Sequence, residues 1–164
     1  MKKGVFIDRD GVINYEPGHY TCSVDDFIIN DGVGEAINLL KKHDYLIIII
    51  SNQGGIAKKL YTENDVLEMH IKFCEYLADY DTKVDDFYFC PHHDEIGKCL
   101  CRKPQSLMIE KAMAIYDIDP TTSFMIGDRY RDVEAAKRCG VKGIMIESNH
   151  NIYETCLNIV NNNV

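Results

Sequence analysis

Five short apolar runs separated by stretches patterned for helices constrain this chain more than any other feature. The runs are Val5–Ile7, Tyr45–Ile50, Val84–Phe89, Ser123–Ile126 and Val141–Ile146. All but the third lack polar alternation, as strands buried on both faces do. The helical stretches lie at roughly 32–43, 62–79, 105–117, 129–139 and 151–160. Thr62-Glu63-Asn64-Asp65 reads as a capping box opening the second of them. Alternation of strand and helix specifies parallel pairing through right-handed crossovers. The expected fold is therefore α/β, a doubly wound parallel sheet with helices on both faces, in a single domain over residues 1–164.

Two segments exceed what a crossover needs: Gly11 to about Asp31 after the first strand, and Cys90 to Pro104 after the third. Loops of this length in a compact domain are usually functional, and both leave strand C-terminal ends, where open α/β sheets hold ligands. Asp8-Arg9-Asp10-Gly11 occupies the first such end. Two acids spaced this way can divide labour, one ionised as nucleophile and metal ligand, the other holding and returning a proton. Ser51 and Asn52 follow the second strand. With Gly54 and Gly55 allowing close approach, they form a candidate phosphate cradle, although an ordinary strand-ending turn uses the same residues. Arg102 and Lys103 precede Pro104, which is expected in the first turn of the third helix. A guanidinium fork beside a point charge can neutralise a phosphate and orient a second anionic group. Gly127-Asp128-Arg129, with Asp132 four residues beyond Asp128, ends the fourth strand. Three carboxylates at one crevice, Asp8, Asp10 and Asp128, repel unless a hard cation joins them, and Mg²⁺ is the economical choice.

With 26 acidic against 18 basic residues, net charge −8, the chain has no broad basic surface for nucleic acid or an anionic membrane. An anionic substrate must be bound locally. Leu46–Ile50, the longest apolar run, is far below membrane-spanning length. Lys2 and Lys3 are followed by too few apolar residues for an export signal, so the expected location is the cytoplasm. In that reducing compartment clustered cysteines point to metal rather than disulfides. Cys90-Pro91-His92-His93 and Cys99-Leu100-Cys101 form the cluster. Alternate residues of an extended segment point the same way, so three thiolates and an imidazole, from His92 or His93, can close a tetrahedral structural Zn²⁺ site. Isolated buried cysteines are the alternative; Cys22, Cys74, Cys139 and Cys156 are unclustered, and for them the reading as small hydrophobes suffices.

In order and placement, Asp8-x-Asp10-Gly11, Ser51, Lys103 and Gly127-Asp128-x-x-x-Asp132 resemble the four motifs of the haloacid dehalogenase superfamily of aspartyl-phosphate phosphatases. The resemblance implies a Rossmann-like fold in which Asp8 attacks phosphorus and Asp10 protonates the leaving alcohol and then activates water. It implies that Ser51 and Lys103 hold the phosphoryl oxygens, and that Asp8, the Asp10 carbonyl and Asp128 bind Mg²⁺. Phe6 to Asn14, Ser51-Asn52-Gln53, Cys90 to His93 and Cys99-x-Cys101-Arg102-Lys103-Pro104 further resemble a capless branch holding heptose-bisphosphate and histidinol-phosphate phosphatases. There a zinc loop replaces the cap domain and sets Arg102 and Lys103 over the site, which implies Zn²⁺ on Cys90, His92, Cys99 and Cys101. The implied substrate contacts are Arg102 and Arg129, holding a phosphate that is not cleaved, with Gly18, His19 and Tyr20 in the first long loop. Gly54, Ser106-Leu107 and Arg129 depart from the usual heptose pattern, whereas Gly55-Ile56-Ala57-Lys58 and His92-His93 follow it. The expectation is a monomeric phosphatase of a small phosphorylated metabolite, removing the 7-phosphate of a heptose 1,7-bisphosphate, with histidinol phosphate as the rival substrate. A catalytically silent, zinc-stabilised interaction domain would be a different class. The joint presence of Asp8, Asp10, Ser51, Lys103 and Asp128 argues against it.

Overall fold

A computed structural model describes all residues, 1–164. Its five strands form one parallel sheet: β1 (Lys3–Ile7), β2 (Tyr45–Asn52), β3 (Asp86–Cys90), β4 (Phe124–Gly127) and β5 (Lys142–Met145), in the order β3-β2-β1-β4-β5. The helices are α1 (Val33–Lys42), α2 (Glu63–Ala78), α3 (Leu107–Tyr116), α4 (Tyr130–Arg138) and α5 (Tyr153–Val160), with a 3₁₀ turn at Pro120–Thr122. This is the doubly wound architecture expected from the alternation, with no cap domain.

Successive side chains of a strand face opposite ways, and the core divides accordingly. Val5, Ile7, Ile47, Ile49 and Ile126 pack with residues of α1, α2 and α5. Phe6, Ile48, Ile50 and Met125 pack with Met108, Ile109 and Ala112 of α3 and Ala135 and Ala136 of α4. Both faces of β1 and β2 are therefore dry, which is why their sequences carry no alternation. Thr62 and Asp65 form the expected capping box: Asp65 N donates to Thr62 Oγ1 at 3.2 Å and Thr62 N to Asp65 Oδ2 at 2.7 Å.

Two expectations fail. The run Val141–Ile146 does not form a strand buried on both faces. β5 is a sheet edge whose ends, Lys142 and Met145, are exposed, because it has no neighbouring strand on one side, although α4 still covers it at Gly143, against Val133. Pro104 is not in the first turn of α3, which begins at Leu107 after Ser106. The residues between belong to the long loop instead, with Gln105 N donating to Arg102 O at 2.8 Å.

The strand order reverses direction at β1 and β4, and at such a switch point the crevice beyond the strand ends is open to ligand. Asp8 and Asp128 are the residues immediately following those two strands.

Candidate active site

The site is assembled where β1 and β4 end. Asp8 N donates to Ile126 O at 2.9 Å, carrying the β1–β4 ladder one residue past the strand and fixing the Asp8 backbone. The chain then folds tightly, Arg9 O accepting from Ile13 and Asn14 N at 2.8 and 3.1 Å. Gly11 makes this turn in the left-handed region, φ 86°, and a Cβ there would stand 2.5 Å from Asp128 Oδ2. A Cβ on Gly127 would lie 2.2 Å from Asp132 Cβ. Both glycines therefore let the acidic loops close on one another.

Lys103 ties the buried charges together. Its Nζ stands 2.8 Å from Asp8 Oδ1 and 2.7 Å from Asp132 Oδ1, and donates to Ile50 O at 2.7 Å. Asp8 and Lys103 are only 3 % and 2 % exposed. Burial pushes the Asp8 carboxyl up to about 7 against the pull of Lys103, with Asp132 adding to the rise. A divalent cation on the same carboxylate would reverse this balance. Asp8, Asp128 and Asp132 bring carboxylate oxygens within 4.8 Å of one another, and Asp128 Oδ1 is buried with no hydrogen-bond partner. That donor set, oxygen only with one lone oxygen waiting, fits a hard cation such as Mg²⁺. Asp132 is otherwise engaged, since its Oδ2 accepts from Arg129 N at 3.0 Å.

The carboxylate of Asp10 does not join this group. Its Oδ1 accepts from Arg9 Nη2 and Nε at 2.8 and 3.2 Å and from Asn14 Nδ2 at 3.1 Å; its Oδ2 accepts from Gln53 Nε2 at 2.8 Å. Burial opposes ionisation, but the Arg9 charge and these donors together outweigh it and hold the carboxyl below its ordinary range. The three converging side chains are thus Asp8, Asp128 and Asp132 rather than Asp8, Asp10 and Asp128, leaving Asp10 its main-chain carbonyl for a cation. Arg9 itself is 1 % exposed, with its guanidinium over the Phe27 ring at 5.6 Å.

Ser51 is buried, its Oγ accepting from Gln53 Nε2 at 2.6 Å. Asn52 both donates to Lys103 O, at 3.0 Å, and accepts from Lys103 N, at 2.9 Å, so it fixes the main chain that delivers the lysine. The glycines after it make room for side chains: Gly55 lies under the Tyr61 ring, and Gly54 under His93 and Arg102. A cleft of about 410 Å³ opens beside Asp10, lined by Gly18, His19, Tyr20, Asn52, Tyr61 and Arg129 among others. Neither expected spare cation is free. Arg129 pairs with Glu16 and, through Nε at 3.2 Å, with Asp128 Oδ2. Arg102 stands 3.4 Å from Asp94 and donates to His92 O at 3.0 Å, away from the cleft lining. Arg131, not anticipated, does line it.

The cysteine cluster forms as the spacing suggested. Cys90 Sγ lies 3.1 and 3.6 Å from Cys101 and Cys99 Sγ, and Cys99 lies 3.7 Å from Cys101. His92 Nδ1 stands 3.6 and 3.4 Å from Cys90 and Cys101 Sγ. Thiolates bonded at about 2.3 Å to one tetrahedral ion stand about 3.8 Å apart, so three sulfurs and one nitrogen at these separations fit zinc. His93 is the imidazole outside the cluster, its Nδ1 accepting from Glu95 N at 3.2 Å. The loop is seated on the turn after β2: Ala57 N donates to Pro91 O at 3.1 Å, and Lys58 pairs with Glu95 at 2.8 Å.

Gln53, Asn14, Tyr61 and Arg9 are the site residues that residue chemistry alone did not single out. Gln53 was visible only as part of Ser51-Asn52-Gln53, and Arg9 only as the residue between two acids.

Comparison with known proteins bears on what this geometry serves. A HAD-hydrolase-like family model matches residues 100–156. The D-glycero-beta-D-manno-heptose-1,7-bisphosphate 7-phosphatase of Pasteurella multocida is 40% identical over 89% of this chain and 82% of its own length. The chain belongs to the heptose-bisphosphate phosphatase family of the haloacid dehalogenase superfamily. A Campylobacter jejuni relative, 36% identical over 88% of this chain and 81% of its own, is named for the alpha anomer. The crystal structure of D,D-heptose 1,7-bisphosphate phosphatase from B. bronchiseptica, complexed with magnesium and phosphate, superposes with TM-score 0.84 at 31% identity, covering 94% of this chain and 85% of that one. The chain is thus a phosphatase by family. No helix is long and apolar enough to cross a membrane.

Proposed function

We propose that this phosphatase hydrolyses the 7-phosphate of D-glycero-D-manno-heptose 1,7-bisphosphate through an aspartyl phosphate on Asp8, with Mg²⁺ at Asp8, Asp128 and the Asp10 carbonyl and structural Zn²⁺ on Cys90, His92, Cys99 and Cys101. The observation that carries the reading is the Asp8–Lys103–Asp132 cluster beside the unpartnered Asp128 oxygen, in a chain whose relatives are named for this substrate.

Asp8 is held by Oδ1, which takes Lys103 and Arg9 N, so its second oxygen is the one available to attack phosphorus. Bound Mg²⁺ supplies positive charge for the transferring oxygens and keeps Asp8 ionised. As the Asp8–phosphorus bond forms, the bond from phosphorus to the sugar oxygen breaks, and Asp10 gives that oxygen its proton. The free site holds Asp10 ionised, and the arriving phosphate anion opposes that ionisation, so substrate entry favours the protonated acid. In the second half Asp10 takes a proton from water, whose oxygen attacks phosphorus; the Asp8–phosphorus bond breaks and phosphate leaves. Ser51 donates to the phosphoryl oxygens in both halves, and Lys103, whose three hydrogens are taken by Asp8, Asp132 and the Ile50 carbonyl, supplies positive charge beside them. Gly18, His19 and Tyr20 line the sugar side of the cleft. Arg129, once Glu16 yields it, would take the spectator phosphate bidentately, and Arg102 would join it only by leaving Asp94 and the His92 carbonyl.

The test is ³¹P NMR of heptose 1,7-bisphosphate with enzyme and Mg²⁺, alongside histidinol phosphate. One phosphate per sugar is expected, with the C1 phosphate retained and histidinol phosphate turned over more slowly. Faster release from histidinol phosphate, or loss of the C1 group, would overturn the assignment.

A further inference from the structure

The hydrogen bonds behind Ser51 have a direction, and it starts at a residue outside the catalytic set. Tyr61 OH donates to Gln53 Oε1 at 2.6 Å. The Gln53 carbonyl is thereby occupied, and its NH₂ faces the other way, donating to Asp10 Oδ2 at 2.8 Å and Ser51 Oγ at 2.6 Å. An amide nitrogen carries two hydrogens, so both are used. Ser51 Oγ receives one of them, and its own single hydrogen is donated to no protein group, so it is free for a ligand. The Tyr61 ring cannot drift: it is 7 % exposed, sits on Gly55 where a Cβ would be 2.1 Å from Cε1, and meets Tyr20 edge-on at 6.1 Å.

We infer that Tyr61 is a positioning residue that locks the Gln53 amide in one orientation, so that Ser51 is held as a donor toward the phosphoryl group. The two ends of a primary amide have nearly the same shape, so once the phenol hydroxyl is removed only the Asp10 carboxylate, which accepts from Nε2 at 2.8 Å, still opposes Gln53 turning over. Turned over, Oε1 would accept the Ser51 hydrogen and draw it from the substrate, and the same oxygen would face the Asp10 carboxylate. The inference rests on the proposed phosphatase reading for its kinetic arm and on phosphate binding alone for its other arm.

Tyr61→Phe keeps the ring and removes only the hydroxyl. Its kcat/KM on heptose 1,7-bisphosphate is expected to fall about tenfold, with affinity for inorganic phosphate in the presence of Mg²⁺ reduced several-fold and the thermal midpoint within a few degrees of wild type. In a Ser51→Ala background there is no hydrogen to direct, so the same substitution should cost less than half as much on a logarithmic scale. A loss below threefold in both readouts, a full loss in the Ser51→Ala background, or a midpoint lowered far enough to account for the loss would each overturn the role. Should wild type release no phosphate from the sugar, the substrate assignment fails, while phosphate affinity of wild type against Tyr61→Phe still decides the part played by Tyr61.

Discussion

The strand-tip site and the cysteine loop both gather ligating groups, yet they are ordered by opposite means. Asp8 and Asp128 follow β1 and β4 in the middle of the sheet, where backbone ladders and dry faces on both sides fix the chain before any ion arrives. Residues 91–101 hold no regular strand or helix, and Ile96 and Leu100 point their apolar surface at solvent, 65 % and 78 % exposed. Apart from its seat on the turn after β2, that loop is ordered by the cysteine cluster, and an ion held there would turn its binding energy into folding energy. Hard oxygen donors with an open oxygen belong to chemistry; a closed set of three sulfurs and one nitrogen belongs to structure. The two regions meet at Lys103, two residues past Cys101, so the structural loop delivers the cation that the chemical site needs.

Three substitutions can break this comparison. Asp8→Asn should have the largest effect, lowering turnover by about 10⁴-fold or more while leaving the unfolding midpoint nearly unchanged, because Lys103 keeps Asp132 and the Ile50 carbonyl. Thermal melts beside phosphate-release assays check both halves, and near-normal turnover would remove Asp8 from the nucleophile's role. Cys99→Ser should behave in the opposite sense. Zinc content by metal analysis should fall, stability should drop by several kcal/mol, on the order expected when a structural site opens, and activity should fall with it as Lys103 loses its support. A zinc-free wild type of unchanged stability would refute the structural role. Asn52→Ala removes the two hydrogen bonds on the Lys103 main chain, and each such bond contributes about 1 kcal/mol. Its expected loss in kcat/KM is about tenfold, measured by steady-state kinetics, with zinc content unaltered; a coincident loss of zinc would mean that the two regions are not separable.

What the sequence made legible follows the same division. Strand ends are local features, so apolar runs terminating in Asp8, Ser51 and Asp128 could be placed together on one edge before any coordinates. Partners across loops are not local. Nothing in the spacing of Arg129 announces Glu16, 113 residues away, or makes Asp132 rather than Asp10 the third converging carboxylate. His92 and His93 are adjacent, and only the path of the loop on the turn after β2 selects between them. The exposed edge of β5 was hidden for a related reason: burial depends on whether a strand has neighbours on both sides in the sheet, which the run Val141–Ile146 does not encode.

The central chemical claim is that phosphorus is carried by Asp8. The most direct measurement uses the wild-type enzyme during steady-state turnover, when Asp8 cycles through the covalent intermediate. After mixing with heptose 1,7-bisphosphate and Mg²⁺, the protein is quenched and treated with borohydride, which reduces an acyl phosphate of aspartate to homoserine, and the tryptic peptides are read by mass spectrometry. Homoserine at position 8 is predicted. An intact Asp8 during demonstrable turnover, or homoserine at position 10 or 128 instead, would contradict the account.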